Sequence, residues 1–289
     1  MLQYYRGTEQ DRKVLFSAFQ AGFVDYVVKL DLTMEQFFAH FFDQEGNARE
    51  HSFVAMSGSE AVGIILGGIK LYEGIRTMRC GALAVRPDLR GHGISKELLR
   101  LHHQEAVDQG CRQLYLEVIQ GNDRAIAFYN RHGYQRLYDL SYYTLTNLSG
   151  LTAATQMEAS GHGMANIAQL DSHRFVEAVQ GREYFHLNWQ NDLDYICRSD
   201  KYVFYGALIK GNPAAVMAIT RQGRISLLMV DKNERGRGIA PMLLNSAVRE
   251  LALTRLQISF SNNAGLHGFL QHLGFQRDPI QQYEMYRFL

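Results

Sequence analysis

Cysteine is scarce in this chain. The three present, Cys80, Cys111 and Cys197, are far apart, odd in number and outside any CxxC spacing. That pattern disfavours a disulfide framework or a zinc site, and it fits a reducing cytoplasm. An excess of charge is also missing: 30 basic side chains against 29 acidic ones leave a formal +1. So balanced a chain has no overall field to hold nucleic acid or an anionic membrane, and neither is expected as a partner. Long apolar runs are lacking too. The most apolar stretch, Ala61 to Ile69, contains three glycines and falls far short of the ~20 residues of a membrane helix. Residues Met1 to Gly7 carry no apolar core of a secretory signal, so none is expected. What is present is 289 residues that are 46% hydrophobic and 20% charged. That is an ordinary globular balance, with room for one large domain or two ordinary ones.

The chain repeats itself. Residues 83–99 read LAVRPDLRGHGISKELL and residues 228–244 read LMVDKNERGRGIAPMLL. At a constant offset of 145, Val85, Arg90, Gly91, Gly93, Ile94, Leu98 and Leu99 find identical residues at Val230, Arg235, Gly236, Gly238, Ile239, Leu243 and Leu244. A second pair of blocks follows in the same order, NDRAIAFYNRHG from Asn122 and NAGLHGFLQHLG from Asn263. Two matched blocks with nearly equal gaps imply a tandem duplication. The join falls in the turn-rich and small-residue stretch 146–165, which places one domain at 1–150 and the other at 151–289.

Each half has an α+β pattern. In the first, strands are expected at 52–56, 61–69, 78–85 and 114–118, with closing strands in 134–145. Helices are expected at 11–22, at 33–42 behind a Thr33 to Gln36 capping box, after the glycine loop to Gly110, and at 123–132 behind Asn122. The second half repeats the order, with strands at 201–209, 214–220, 224–230 and 256–260. Its helices follow Gly238 and Asn263.

A strand, then Arg-Gly-X-Gly-Ile and a small residue, then a helix, is a device for holding phosphate. Glycines let backbone N–H groups converge, the helix N-terminus adds positive potential, and an arginine can bond an anionic oxygen. Neither copy ends in the GK[ST] of a P-loop, and the third glycine of a dinucleotide fingerprint is absent. A tight turn needing glycine for packing alone is the competing explanation. Its occurrence twice in the same context weighs against that.

These blocks resemble the GCN5-related N-acetyltransferases, the GNAT superfamily, in its tandem bacterial form. The resemblance implies two α+β domains, each a mixed, mostly antiparallel sheet flanked by helices, and acetyl-CoA as co-substrate with no metal. It carries Leu83, Ala84, Val85, Arg90, Gly91, His92, Gly93, Ile94, Ser95 and Asn122 over as cofactor-binding residues. A possible second cofactor loop is Arg235, Gly236, Arg237, Gly238, Ile239 and Ala240. Ser95 departs from the family's Gly or Ala, and the second loop fits the pattern fully.

Acetyl transfer to an amine requires a proton to leave the amine and one to reach the departing thiolate. In the family the acid is a tyrosine in the helix after the Asn, here Tyr129. Its counterpart in the second half is Leu270. Glu117 stands where some members place a general base, and its counterpart is Ser259, or Ile258 if the alignment shifts by one. These residues point to catalysis by the first half, with a primary amine as acceptor, attacked directly in a ternary complex. Tyr129 as a core aromatic and Glu117 as a plain hydrogen-bonding residue are the structural alternatives. The alternative function is a non-catalytic acyl-CoA sensor.

Overall fold

A computed structural model describes residues 1–151, 165–180 and 186–289. Much of the expected join between the repeats, including Ser160 to Gly163, lies outside the described residues. The chain forms two compact units, Met1–Leu137 with Tyr283–Leu289, and Tyr138–Gln282.

The first unit is built on a sheet of β1 (Leu2–Arg6), β2 (Ala48–Ser57), β3 (Glu60–Tyr72), β4 (Ile75–Val85) and β5 (Gln113–Ile119), with β13 (Gln282–Phe288) next to β5. Strands β1 to β4 are antiparallel neighbours, whereas β4 and β5 run parallel. One face is covered by α3 (Ile94–Asp108) and α4 (Asp123–Arg131), whose Ile94, Leu98, Leu99, Ala106 and Tyr129 pack on Met78, Cys80, Leu114, Leu116 and Val118. The alternation of β5 thus sends Leu114, Leu116 and Val118 to the helices, and Tyr115 and Glu117 to the opposite face. That face carries α1 (Arg12–Phe23), which buries Leu15, Ala18, Phe19 and Gly22 at helical spacing.

The helix expected over 33–42 starts at its capping box, in which Gln36 N donates to Thr33 Oγ1 at 3.2 Å and Thr33 N to Gln36 Oε1 at 2.9 Å. Regular α-helix, α2, covers only Met34–Phe37 and widens into a π-helical turn over Phe38–Gln44. Phe37, Phe38 and Phe41, spaced i, i+1 and i+4, are buried together on one side of this segment.

The second unit repeats this plan. Its sheet runs β6 (Gln135–Leu145), β11 (Leu256–Ser261), β10 (Arg224–Val230), β9 (Asn212–Thr220), β8 (Tyr202–Ile209) and β7 (Asn166–Leu170), with β12 (Gln276–Arg277) on β6. Helix α5 (Ser172–Gln180) and the short α6 (Leu193–Arg198) precede the meander, while α7 (Ile239–Glu250) and α8 (Ala264–His272) follow the glycine loop and β11. Leu243, Leu244, Ala247 and Leu270 fill the core beneath them. The last strand is the departure from a simple duplication, since Tyr283–Phe288 belongs to the first unit although it follows the second repeat.

Candidate active site

The site is a strand splay created by a bulge. Strand β4 pairs with β5 from Thr77↔Gln113 to Cys80↔Leu116, and β4 then continues to Val85 without that partner. On its other edge β4 pairs Cys80 with Gly67 and Ala82 with Leu66, so Gly81 is an extra residue. Such an insertion bends the strand. A Cβ at residue 81 would lie 2.2 Å from Asn47 Oδ1, so a larger residue there would have to displace the buried Asn47 side chain. The second unit repeats the device at the same offset. Strand β10 pairs with β11 only to Ile225↔Ile258, and Ser226 is skipped between Ile225↔Ile219 and Leu227↔Ala218.

At the apex of the first splay the two faces carry different chemistry. On the helical face Tyr129, 8% exposed, hydrogen-bonds through its hydroxyl with the Cys80 thiol at the last paired position. Burial, then the neighbouring Cys80, pushes the phenol well above its ordinary range, so it stays protonated. Burial likewise pushes the Cys80 thiol up to about 12, which makes it a poor nucleophile.

On the opposite face Arg79 is clamped between two carboxylates. Its Nη1 donates to Glu45 Oε2 and its Nη2 to Glu117 Oε2, both at 2.8 Å. Burial works against the Arg79 charge, and Glu45 and Glu117 overcome it to raise its pKa. The other Glu117 oxygen accepts from Tyr115 Oη at 2.9 Å. Tyr115 Oη also lies 3.2 Å from Glu284 Oε2, the oxygen that accepts from Tyr286. Glu117 therefore sits in a fixed network, with one oxygen on a guanidinium and the other on a phenol. Arg79, Glu45, Tyr115 and Glu284 escape a reading of motifs, although Arg79 recurs as Arg224 at the repeat offset and could have been found there.

The sheet register also fixes the second copy. Arg79 pairs with Tyr115 and Arg224 with Gln257, so Glu117 matches Ser259 rather than Ile258. Ser259 Oγ accepts from Asn191 Nδ2 at 3.1 Å, and Leu270 is fully buried where the first unit has Tyr129. In the described part of the second unit a cavity of about 290 Å³ occupies this splay.

The glycine loops are open. Gly91 and Gly93 have φ of 82° and 83° in the first, Gly236 and Gly238 74° and 71° in the second. A Cβ on Gly91, Gly93 or Gly236 would meet nothing within 4 Å. Helices α3 and α7 begin directly after them, with Gly93 and Gly238 as N-caps. The residues matching the Acetyltransferase (GNAT) family are 16–134, and those matching the Acetyltransferase (GNAT) domain are 178–286. The chain belongs to the GNAT acetyltransferases. It is an acyltransferase with two GNAT domains in tandem.

Solved structures with the same architecture include a tandem GNAT protein from the clavulanic acid biosynthesis pathway, at TM-score 0.70 and 14% identity over 100% of this chain and 98% of that one. A GCN5-related N-acetyltransferase from Sphaerobacter thermophilus aligns at TM-score 0.66 and 15% identity, covering 100% and 95%. A putative acetyltransferase from Pyrococcus horikoshii gives 0.63 and 14%, covering 100% and 89%. At these identities the likeness is one of fold.

The GNAT family uses acyl-CoA, and the first loop fits its diphosphate. The first N–H groups of α3 lie beyond the reach of intrahelical acceptors, and the loop presents no side chain that fills the space outside Gly91 and Gly93. Ile94 buries its side chain in the core, leaving its N–H to the loop, and Ser95 is half-buried beside it. His92 is exposed, with Nδ1 3.1 Å from Arg90 O. Leu83, Ala84 and Val85 pair with Ile65, Ile64 and Gly63 on one edge and face the splay with the other.

Arg90 does not project toward that space. Its Nε donates to Val85 O at 3.0 Å, and its Nη atoms grip both Asp25 oxygens. Arg235 repeats the first contact, with Nε 3.2 Å from Val230 O. The motif arginine in both loops ties the loop back to the end of the preceding strand, and Arg237 pairs with Glu234 at 2.9 Å. Ile239 and Ala240 are buried at the start of α7. Asn122 caps α4 by accepting from Ala125 N at 3.3 Å, and Asn263 does the same for α8. Among the described residues no helix is long and apolar enough to cross a membrane.

Proposed function

We propose that the first unit transfers an acetyl group from acetyl-CoA to a primary amine, by direct attack in a ternary complex. Acetyl-CoA supplies an activated acetyl thioester. The residues of the loop from Gly91 to Ser95 and the free edge of Leu83, Ala84 and Val85 hold it, with Asn122 fixing the start of the helix that carries Tyr129. The observation that carries the reading is the pairing of Tyr129 with Cys80 at the apex of the first splay, set against Leu270 at the same place in the second.

The amine nitrogen forms a bond to the acetyl carbon as the carbon–sulfur bond breaks. Tyr129, kept protonated by burial, hydrogen-bonds the developing thiolate and gives it the proton. The amine's surplus proton leaves toward Glu117, which Arg79 and Tyr115 hold in place. The second unit lacks both groups and does not transfer. Its loop, Arg235 to Ala240, remains a possible second holder of cofactor, which is the basis of the sensor alternative for that unit.

The test is acetyl-CoA-dependent thiol release against a panel of amino acids, polyamines, aminoglycosides and peptides with free N-termini, run beside calorimetric titration of acetyl-CoA. Tyr129→Phe is expected to keep acetyl-CoA affinity and lose turnover. Wild-type turnover by Tyr129→Phe, or no acetyl-CoA binding at all, sinks the reading.

A further inference from the structure

A base that acts in every turnover must give up the proton it takes. The Glu117 side chain is only 3% exposed, with one oxygen on Arg79 Nη2 at 2.8 Å and the other on Tyr115 Oη at 2.9 Å. Its Tyr115 side leads further into the unit.

Tyr115 Oη lies between two carboxylates, 2.9 Å from Glu117 Oε1 and 3.2 Å from Glu284 Oε2. A phenol has one proton, so it donates to one of them at a time. Turned to Glu117, it faces Glu284 with its lone pairs. Turned to Glu284, it can accept from a protonated Glu117. The two arrangements exchange one proton between the carboxylates. Burial, then Glu117 and Glu284, pushes the phenol well above its ordinary range, so it passes one proton only as it receives another. The chain continues beyond Glu284. Tyr286 Oη donates to Glu284 Oε2 at 3.2 Å, and Tyr72 hydrogen-bonds Tyr286. All four residues from Tyr115 to Tyr72 are buried, whereas Glu73, next to Tyr72 in the β3–β4 turn, is exposed.

We infer that Tyr115 and Glu284 form a proton relay that clears Glu117 after it deprotonates the amine. The inference rests on the reading of Glu117 as the base. Tyr115 first turns its O–H to Glu284, which frees Glu117 Oε1 to take the amine's surplus proton as that N–H bond breaks. The proton then passes from Glu117 to Tyr115 Oη while the phenolic O–H breaks and its proton bonds to Glu284 Oε2. Glu117 is again a carboxylate, Tyr115 again a phenol, and Glu284 a carboxylic acid. Glu284 releases that proton along Tyr286 and Tyr72 toward water at the β3–β4 turn. Neither relay residue touches the substrate, and both act through Glu117. At the matching register positions the second unit has Gln257 and Ser259, neither a phenol nor a carboxylate.

The experiment compares Glu284→Asp with Glu284→Gln in the full chain. Thiol release is measured with the amine that wild type acetylates fastest, and acetyl-CoA affinity by calorimetry. Gln keeps the length and the acceptor oxygen of Glu but cannot take up a proton, whereas Asp is shorter and can. A relay is expected to leave Glu284→Asp at least tenfold faster in kcat than Glu284→Gln, with acetyl-CoA affinity unchanged in both. A packing role gives the reverse order, and Glu284→Gln as fast as Glu284→Asp overturns the inference. Tyr115→Phe, which loses only the hydroxyl, is expected to lower kcat at least tenfold. It decides the matter if thermal denaturation shows a Glu284 variant unfolded, and wild-type kcat in it overturns the inference. Glu117→Gln tests the parent reading separately. Wild-type turnover there removes Glu117 as the base and the relay with it. Loss there, with full kcat in Tyr115→Phe and Glu284→Gln, removes the relay alone.

Discussion

The Tyr115 hydroxyl lies 3.2 Å from Glu284 Oε2, joining two residues 169 positions apart in sequence. Around that contact Met285 and Glu284 are fully buried and Tyr286 is 3% exposed, so Glu284–Tyr286 forms part of the first unit's interior. Met285→Ala is expected to cost about 2–5 kcal/mol, the range for emptying a buried methionine site. Denaturant titration measures it, and a loss below 1 kcal/mol would show that the strand merely rests on the unit.

Arg79 is expected to be intolerant of neutral replacement. Arg79→Met leaves Glu45 and Glu117 buried without their cation, a loss of about 3–5 kcal/mol. The double variant Arg79→Met with Glu45→Gln should recover part of it, because one of the two stranded charges is then gone. Equal stability of the single and double variants in urea titration would show that the clamp is not electrostatic.

His102 gives a pH dependence with a definite sign. It is fully buried, and burial pushes its imidazole down to about 3, against an unfolded value near ~6.5. The folded form therefore holds His102 neutral while the unfolded chain takes up a proton, and stability is lost as pH falls from about 6.5 toward 3. At ~1.4 kcal/mol per pH unit, the drop from pH 7 to 5 is about 2 kcal/mol from this residue. His103, pushed down to about 4, acts in the same direction. His102→Leu should lose His102's share of that drop, read by urea titration at both pH values. An undiminished drop in the variant would refute the assignment.

Gly93 is held at φ 83° as the N-cap of α3. Gly93→Val forces a β-branched side chain into that region, costing about 1–2 kcal/mol. In the proposed cofactor loop it should also weaken acetyl-CoA at least tenfold by calorimetry. Unchanged affinity with reduced stability would make the glycine a matter of folding alone.

The duplication was readable because glycine at positive φ and the Asn that caps a helix tolerate few substitutes, so they survive in both copies. The Tyr129 and Leu270 contrast followed from alignment on those fixed points. What stayed hidden were relationships without a local signature. The one-residue ambiguity between Ser259 and Ile258 needed strand register to resolve it. Glu45, Arg79 and Glu117 look like ordinary charges in their own segments, and only the sheet and the π-helical turn bring them together. Arg90 looked like a phosphate ligand because its position in the motif says nothing about which way its guanidinium turns. The home of the strand Tyr283–Phe288 could not be read either, since pairing partners so far apart leave no periodicity to detect.

That strand has a consequence for how the protein is made. Synthesis runs from residue 1 upward, so the ribosome has released all of the first repeat and then all of the second before Glu284, Met285 and Tyr286 emerge. Until then β5 has β4 on one side and no strand on the other, and the Tyr115 hydroxyl has Glu117 beside it but not Glu284. Contacts spanning so much chain close slowly. The unit begun first is thus finished last, and a chain cut short anywhere before residue 283 yields no complete first unit.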